Sequence, residues 1–265
     1  MPLGYRHPSC LNSRIEFYEE YGKKAENTSG KKWYPWVTDH IKSENNDRIL
    51  EVGCGSGNLW VDGNWASRPA EEVHITDISD RMVKKARESI GDKIKSLNYE
   101  IVDVANIPFP NNYFDVVIAN HILHLVEDIN KSIKEIKRVL KPTGSFYSTT
   151  KHHHNFVGVK NILKEIGIGE DVEQMNKYSI NNAGRRLSRH FSDVYQELYL
   201  EKYYISKKDI DALVYFAGSK WSLSLEQRHT LRSRLLDQMV TRENATKSDE
   251  AIMFKKYLAI MEAKL

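Results

Sequence analysis

A glycine-rich turn is the segment of this sequence whose residue types and spacing most favour ligand chemistry. It reads Glu51-Val52-Gly53-Cys54-Gly55-Ser56-Gly57 and follows a short apolar run. Glycine lets the backbone turn sharply and lets a ligand approach without meeting a Cβ, and the start of a following helix offers N–H groups to an anionic group. Asn58 stands where the dinucleotide fingerprint has its third glycine, and no Lys-Ser/Thr pair follows. The turn therefore departs from both the nicotinamide-binding pattern and the P-loop.

Two aspartates extend this candidate site along the chain. Asp77 ends the next apolar run, and Asp103 follows the run after that. A carboxylate at 77 can accept both hydroxyls of a ribose, and one at 103 can accept a hydrogen bond from the exocyclic amine of adenine. Each aspartate alone is equally consistent with a turn or capping residue. Taken together with the glycine turn, they predict a nucleoside site at the carboxyl edge of a parallel sheet.

Short apolar runs alternate with amphipathic stretches, and this alternation defines the elements that must position the site. Strands are predicted at 48–52, 72–77, 99–102, 114–119, 145–149, 191–205 and 257–263. Helices are predicted at 14–25, 31–43, 79–90, 128–140, 210–217 and 224–241, and residues 155–189 are predicted to be mostly helical. Such alternation is typical of a parallel sheet covered by helices on both faces. We therefore predict an α/β fold with a doubly wound, seven-stranded, mostly parallel sheet, an N-terminal helical lid and a C-terminal helical insertion.

The composition excludes several classes of protein. The chain has 265 residues and a formal net charge of only +3, a weak basic excess that argues against a dedicated nucleic-acid binder. Its two cysteines, Cys10 and Cys54, are far apart, which is untypical of a disulfide framework. No apolar run reaches the roughly 18 residues of a membrane span, and the first residues lack the apolar region of a secretory signal. We expect a soluble, cytoplasmic protein.

Residues 47–150 resemble the class I S-adenosylmethionine-dependent methyltransferases, in particular the subfamily that includes the ubiquinone-type enzymes. The resemblance is carried by the segments Ile49-Leu50-Glu51-Val52-Gly53-Cys54-Gly55-Ser56-Gly57, Asp77-Ile78-Ser79 with Met82 and Ala86, Asp103-Val104, Ile107-Pro108-Phe109-Pro110, Phe114-Asp115-Val116-Val117, Ala119-Asn120-His121-Ile122-Leu123 and Ile136-Lys137-Arg138-Val139-Leu140-Lys141-Pro142-Thr143-Gly144. The flanks resemble the family only in element order. We predict three parts: a helical lid at 1–45, an S-adenosylmethionine-binding core at 46–151, and an acceptor-binding helical insertion with the last strands of the same sheet at 152–265.

The same resemblance implies which residues bind the cofactor S-adenosylmethionine. They are Glu51, Gly53, Cys54, Gly55, Asp77, Ile78, Met82, Asp103, Val104 and Asn120. The amino group of the methionine part would lie at Glu51, the ribose at Asp77 and the edge of the adenine at Asp103. Asn120 would lie beneath the methionine part, near the sulfonium. His124 stands one position before the place where related sequences often carry a histidine, which is Leu125 here.

Several side chains are candidates for the acceptor side of the reaction. Methyl transfer from a sulfonium needs alignment and exclusion of water, and a phenol or alcohol acceptor also needs a base. His121 and His152 are the predicted catalytic residues, because each follows a strand that ends at the active edge. Tyr18, Tyr21, His121 and His153 are the predicted acceptor-binding residues. Ordinary structural roles explain these residues as well: an ordered loop for the histidines, a packed core for the tyrosines.

Other assignments stay open at this point. The triplet His152-His153-His154 allows a metal cluster, but no further ligands are apparent and we predict no metal site. His124 is predicted to be a histidine on a helix surface. The function predicted is methyl transfer from S-adenosylmethionine to an oxygen or nitrogen of a small molecule, with secondary metabolism as the expected setting. A protein or RNA methyltransferase and a non-catalytic cofactor-binding protein are the alternatives, with no membrane association and an undetermined oligomeric state.

Overall fold

The computed structural model describes residues 17–18, 20–21, 25–65, 70–91, 94, 97–152, 155–169, 177–241 and 250–265. The chain divides into two compact units. The smaller unit comprises Met1–Thr28, His154–Asp171 and Leu200–Tyr257, and the larger unit comprises Ser29–His153, Val172–Tyr199 and Leu258–Leu265. All the residues predicted to bind the cofactor belong to the larger unit.

The secondary structure alternates between strands and helices along most of the described chain. The strands are β1 (Glu26–Asn27), β2 (Arg48–Val52), β3 (Glu72–Asp77), β4 (Leu97–Ile101), β5 (Phe114–Asn120), β6 (Leu140–Lys151), β7 (Asp193–Ser206), β8 (Val240–Thr241) and β9 (Glu250–Lys264). The helices are α1 (Trp33–His40), α2 (Asn58–Asp62), α3 (Asp80–Ile90), α4 (Ile129–Val139), α5 (Val157–Glu165), α6 (Ala183–Leu187), α7 (Ile210–Trp221) and α8 (Leu225–Asp237). Phe17, Tyr18, Glu20 and Tyr21 are also helical.

The larger unit is built on five parallel strands in the order β4-β3-β2-β5-β6. The last residues of β9 pair antiparallel with β6, and β7 follows β9 in the strand order. The chain moves outward from β2 to β4 and then returns to β5 on the other side of β2. Open α/β sheets bind ligands at such a switch point, outside the carboxyl ends of the strands. The topology therefore predicts a ligand site at the end of β2, where the glycine turn begins.

Helices cover both faces of this sheet. On β2, Leu50 and Val52 pack into one buried cluster and Ile49 packs into another, as alternate residues of a strand must. The first cluster takes its helical side chains from α4 and α6, and the second takes them from α1, α2 and α3. The prediction of an α/β sheet with helices on both faces is confirmed.

The smaller unit has a core of its own, rich in aromatic side chains. Phe17, Tyr21, Phe156, Tyr203 and Phe216 are buried there, together with apolar residues of α5, α7 and α8. β1 pairs antiparallel with the second half of β7, and β8 pairs with the first residues of β9. The roles predicted for the sequence segments, a lid and an acceptor-binding insertion, stay predictions.

Three details of the prediction are wrong. All seven predicted strands are present, but the described sheet has nine, because β1 and β8 are two-residue strands too short to produce an alternating pattern. The sheet is mixed, since antiparallel pairs involve β1, β7, β8 and β9. The helix predicted at 128–140 ends at Val139, and the Pro142–Gly144 segment lies inside β6, at a register irregularity opposite Phe114–Val116.

None of the helices in the described ranges is long and apolar enough to traverse a lipid bilayer.

Candidate cofactor site

Glu51 is a fully buried carboxyl group in the fourth position of β2. One of its oxygens, Oε2, accepts a hydrogen bond of 2.5 Å from the indole Nε1–H of Trp60. The other, Oε1, is buried and has no hydrogen-bond partner among the described residues. Burial, with a smaller contribution from the nearby Asp77, raises the pKa of Glu51 to about 8, although the hydrogen bond from Trp60 acts in the opposite direction. A buried oxygen without a partner is costly, and a cationic donor at this position would remove that cost.

The glycine turn holds main chain open next to Glu51. Gly53, Gly55 and Gly57 all have positive φ, at +73°, +54° and +81°. A Cβ at Gly53 would lie 2.3 Å from Cγ2 of Ile122, so this position requires glycine for packing as well as for conformation. A Cβ at Gly55 would meet nothing within 4 Å. The bare face of Gly55 is therefore space that a ligand can fill.

Asp77 connects the glycine turn to the end of β3. Its Oδ2 accepts a hydrogen bond of 3.0 Å from the N–H of Gly55, and its Oδ1 accepts one of 2.9 Å from the N–H of Ser79. Each carboxylate oxygen can accept a second hydrogen bond. The main chain thus fixes the orientation of this carboxylate and leaves acceptor capacity for a pair of hydroxyls.

Cys54 contributes its main chain to this arrangement. Its N–H donates to the carbonyl oxygen of Thr76 at 2.8 Å, and its side chain is buried. Burial raises the pKa of the Cys54 thiol, with Glu51 and Asp77 adding to the effect, so the thiol is not a reactive thiolate.

The predicted adenine-binding side chains follow β3 and β4. Asp103 is exposed, and its Oδ1 accepts a hydrogen bond of 2.9 Å from the N–H of Ala105. Val104 is buried, Met82 is half-buried, and Ile78 is 69% exposed. A large apolar side chain that is this exposed next to acidic strand ends suits the face of a planar base. Asp77, Ile78 and Asp103 thus follow neighbouring strands at one edge of the sheet.

Asn120 is the last residue of β5 and is oriented by a threonine. The hydroxyl of Thr149 donates to Oδ1 of Asn120 at 2.6 Å and accepts a hydrogen bond of 3.0 Å from the N–H of His121. Because Oδ1 is engaged as an acceptor, the free group of this amide is its NH₂ donor. Thr149 is on β6, beside β5, and this role could not be found from the sequence spacing.

His121 adopts a left-handed backbone conformation, with φ of +57°, where β5 ends. The indole of Trp33 stacks on its ring, with the ring centroids 5.4 Å apart. Trp33 in turn contacts Trp36 and Tyr199. The N-terminal aromatic residues of the larger unit therefore pack beside the predicted base.

The other candidate histidines have different environments. His124 is buried in a turn, and its Nδ1 has no partner among the described residues, so the prediction of a helix-surface histidine is wrong. Burial holds its pKa well below 6.5, and Lys151 and His121 lower it further. The prediction failed because Ile122 and Leu123 pack on the core, so that the loop after β5 folds inward and buries the neighbouring His124. His152 is half-buried after β6, and His153 lies outside the described residues.

Tyr18 and Tyr21 belong to the smaller unit and not to the unit that holds the cofactor residues. Both pack in the aromatic core there, Tyr21 as a buried residue and Tyr18 as a half-buried one. Burial raises the pKa of Tyr21 to about 12, and Asp209 and Glu20 add to the effect. Their predicted role in binding the acceptor stays a prediction.

Two residues of the site carry signals too weak to be read from the sequence. Trp60 follows Glu51 by nine positions and donates to it, while its ring stacks on Trp65 at 4.1 Å. Tyr34 hydrogen-bonds with Asn58, and burial raises its pKa to about 12. From the sequence alone, Trp60 is indistinguishable from an ordinary core residue. Only the tertiary structure shows that its indole N–H donates to the carboxyl group of Glu51. Within the described ranges no cluster of three or more His, Cys, Asp or Glu side chains suits a metal ion.

The chain is similar to known methyltransferases over this region. Residues 50–148 match the family described as a methyltransferase domain. The ubiquinone/menaquinone biosynthesis C-methyltransferase UbiE of Serratia proteamaculans is 32% identical over 114 residues, which are 42% of this chain and 45% of that protein. The mitochondrial arginine-hydroxylase NDUFAF5 of Rattus norvegicus is 30% identical over 159 residues, 55% of this chain and 44% of that protein. The chain thus spans about half the length of these curated relatives.

A solved structure supports the same fold. A protein of Bacillus halodurans C-125, described as a candidate methyltransferase, superposes with a TM-score of 0.60 at 17% identity and covers 87% of this chain and 97% of its own. At that identity the likeness concerns the fold alone. The family match, the acidic strand ends and the open glycine turn agree, and the chain contains a class I S-adenosylmethionine-dependent methyltransferase domain.

Proposed function

We propose that this protein transfers the methyl group of S-adenosylmethionine to a nucleophilic atom of a small-molecule acceptor. The observation that carries the proposal is the buried Oε1 of Glu51, which lacks a partner within the described chain, on the strand that leads into the open turn at Gly55. An α-ammonium group placed there supplies the missing hydrogen bond and the compensating charge. The residues present therefore fit the methionine part of the cofactor.

The remaining cofactor contacts follow from the same edge of the sheet. Asp77, held by two main-chain N–H groups, would accept from the ribose hydroxyls. Asp103 would accept from the exocyclic amine of adenine, and exposed Ile78 would cover the face of the base. The NH₂ group of Asn120, oriented by Thr149, would donate to the methionine part. When bound, the cofactor supplies an electrophilic methyl group on a sulfonium.

The chain's own contribution to the reaction is alignment and exclusion of water. His121 and Trp33 would form a wall beside the methyl group, because His121 follows Asn120 at the end of β5 and Trp33 stacks on its ring. For an alcohol or phenol, His121 or His152 would take the proton of the acceptor. An amine needs only to be deprotonated, so these histidines matter most for oxygen acceptors.

The small net charge and the names of the relatives support a small molecule as acceptor. The charge of +3 is spread over 39 basic and 36 acidic side chains, a poor basis for binding a polyanion. One relative is named a C-methyltransferase of quinone biosynthesis, and another is named an arginine hydroxylase. Because of the second name, cofactor binding alone is not sufficient evidence for methyl transfer.

The first test is cofactor binding by matched glycine variants. Gly55 and Gly91 have nearly the same φ, +54° and +56°, and a Cβ at either would meet nothing within 4 Å. Gly55→Val and Gly91→Val therefore both place a β-branched residue at positive φ, but only the first fills the ligand space. We expect wild type and Gly91→Val to bind S-adenosylhomocysteine in calorimetric titration and Gly55→Val not to bind. Asp77→Ala should also lose binding while staying folded by circular dichroism.

The second test identifies the acceptor. Wild type and Gly55→Val are incubated with a metabolite extract, a protein fraction and an RNA fraction, each with methyl-labelled cofactor, and the products are identified by mass spectrometry. Label in a small molecule with wild type alone supports the proposal. Label only in protein or RNA would indicate a macromolecular methyltransferase, and binding without any transfer would indicate a non-catalytic protein or another reaction. Normal binding by Gly55→Val would overturn the site assignment.

A further inference from the structure

An arginine and a glutamate on α4 hold the loop that carries the predicted adenine-binding residues. Arg138 donates from Nη1 to the carbonyl oxygen of Phe109 and from Nη2 to that of Ile107, both at 2.7 Å. Glu135 accepts a hydrogen bond of 2.9 Å from the N–H of Ile107. Ile107 is thus bound at both its N–H and its C=O by one pair of side chains.

The two side chains also bind each other. Nε of Arg138 lies 2.8 Å from Oε1 of Glu135, and Nη2 lies 2.9 Å from Oε2. The hydrogen bond from Arg138 holds the pKa of Glu135 below its usual range, so the pair is fully charged at neutral pH. A planar guanidinium that engages a carboxylate and two carbonyls at once fixes geometry in a way that a flexible ammonium does not.

The loop between β4 and β5 is held at both ends of the turn that carries Asp103. At its start, the N–H of Val102 donates to the carbonyl oxygen of Asp77 at 3.1 Å, and Val102 and Val104 are buried. Within the turn, the side chain of Asp103 accepts from Ala105, and the N–H of Asn106 donates to the carbonyl of Asp103 at 2.8 Å. At its end, Ile107 is buried in the core and is bound by the pair. The contacts to Ile107 therefore fix the second end of the turn that presents the Asp103 carboxylate.

We propose that Arg138 and Glu135 are positioning residues that determine specificity for the adenine base, by holding Asp103 where it accepts from the exocyclic amine. This inference rests on the proposed binding of S-adenosylmethionine. A carboxylate acceptor in the right place favours an amine and disfavours a carbonyl oxygen at the same position of the base. The ratio of affinities for a ligand with the amine and a ligand with the carbonyl oxygen therefore reports the position of Asp103 more directly than either affinity alone.

The test compares S-adenosylhomocysteine with S-inosylhomocysteine, which carries a carbonyl oxygen in place of the exocyclic amine. We expect wild type to prefer the adenosyl compound by roughly 10- to 100-fold in calorimetric titration, because one hydrogen bond is replaced by an unpaired acceptor. Arg138→Lys should reduce this ratio several-fold, and Glu135→Gln should reduce it less. A double-mutant cycle with Asp103→Ala completes the test, since Arg138→Lys should leave the ratio unchanged when the side chain that binds the base is absent.

A matched control comes from another ion pair of the larger unit. Nζ of Lys141 lies 2.7 Å from Oδ1 of Asp115, and the two side chains are exposed to similar extents as Arg138 and Glu135. Asp115 also accepts from the N–H of Arg48, at the amino ends of β2 and β5 and therefore at the edge opposite the site. Asp115→Asn should lower thermal stability and leave the ratio at its wild-type value.

The outcomes separate this inference from the proposed function. If wild type does not bind S-adenosylhomocysteine, the proposed function fails. If wild type binds and discriminates but Arg138→Lys and Glu135→Gln keep its ratio, the pair is merely structural and the inference is overturned. An effect of Arg138→Lys that persists in the Asp103→Ala background would also overturn it, because the pair would then act by another route.

Discussion

The two units of this protein each bury a glutamate, and they treat it in opposite ways. In the smaller unit, Glu201 accepts a hydrogen bond of 2.7 Å from the hydroxyl of Tyr203 and one of 2.8 Å from Nζ of Lys256. In the larger unit, Glu51 accepts one hydrogen bond from Trp60, and its second oxygen has no partner in the described chain. The first carboxylate has a cation built into the fold, whereas the second has none.

The difference distinguishes a structural group from a binding group. A buried carboxylate whose charge is compensated by a lysine of its own unit has a structural role. A buried carboxyl group with an unused oxygen leaves its unit with an energetic cost that a cationic ligand can remove. Because Glu51 lies on the strand that leads into the open glycine turn, we propose that this group is the ammonium of the cofactor.

The largest expected effect comes from removing the built-in cation. Lys256→Met leaves Glu201 buried without its charge partner, and we expect the free energy of unfolding to fall by roughly 3 kcal/mol. The double variant Lys256→Met/Glu201→Gln should recover part of this loss, because no uncompensated charge is left. Urea unfolding monitored by circular dichroism measures both. A single variant as stable as wild type would contradict the structural assignment of this pair.

Glu51→Gln should have the opposite profile, with no loss of stability and a clear effect on binding. The variant keeps an acceptor for Trp60 but presents an NH₂ donor to the ligand's ammonium. We expect affinity for S-adenosylhomocysteine to fall roughly 10- to 100-fold, as for the loss of a charged hydrogen bond. At pH 7 the unfolding free energy should be no lower than that of wild type, because the amide has no proton to lose. Glu201→Gln is the control and should lower stability but not affinity. Equal affinities of wild type and Glu51→Gln would remove Glu51 from the site.

The smallest expected effect is the pH dependence that the protonation of Glu51 gives to stability and to ligand binding. Burial raises the pKa of Glu51 from 4.5 to about 8, so its contribution to stability is full below the lower value and is lost as pH rises through the higher one. Without ligand, the unfolding free energy of wild type should therefore decline relative to Glu51→Gln over this interval.

Binding of an ammonium group should favour the carboxylate and release most of one proton at pH 7. Calorimetry in buffers of different ionisation enthalpy counts this proton for wild type and for Glu51→Gln. The same proton count in both proteins would mean that Glu51 does not titrate on binding.

The sequence was sufficient for the fold of the larger unit, because its signals are local. Periodicity of two and of 3.6 residues, ended by glycine or aspartate, places β2, β3, α3 and α4 within a few residues of their observed bounds. The same signals fail for β1 and β8, which are two residues long and form only because a longer strand lies beside them. The burial of His124 was not predicted either, because the direction in which a turn folds depends on the elements that it packs against.

The positions of Glu51, Gly53, Gly55, Asp77 and Asp103 at the ends of successive parallel strands were determined by the sequence itself, since strand length and chain order fix which residues reach one edge of a sheet. The tertiary structure alone decided the state of these groups. Trp60 engages one oxygen of Glu51, Thr149 orients Asn120, and Arg138 holds the loop of Asp103. The physical reason is that hydrogen bonds and burial depend on distances between elements far apart in the chain, which no local pattern encodes.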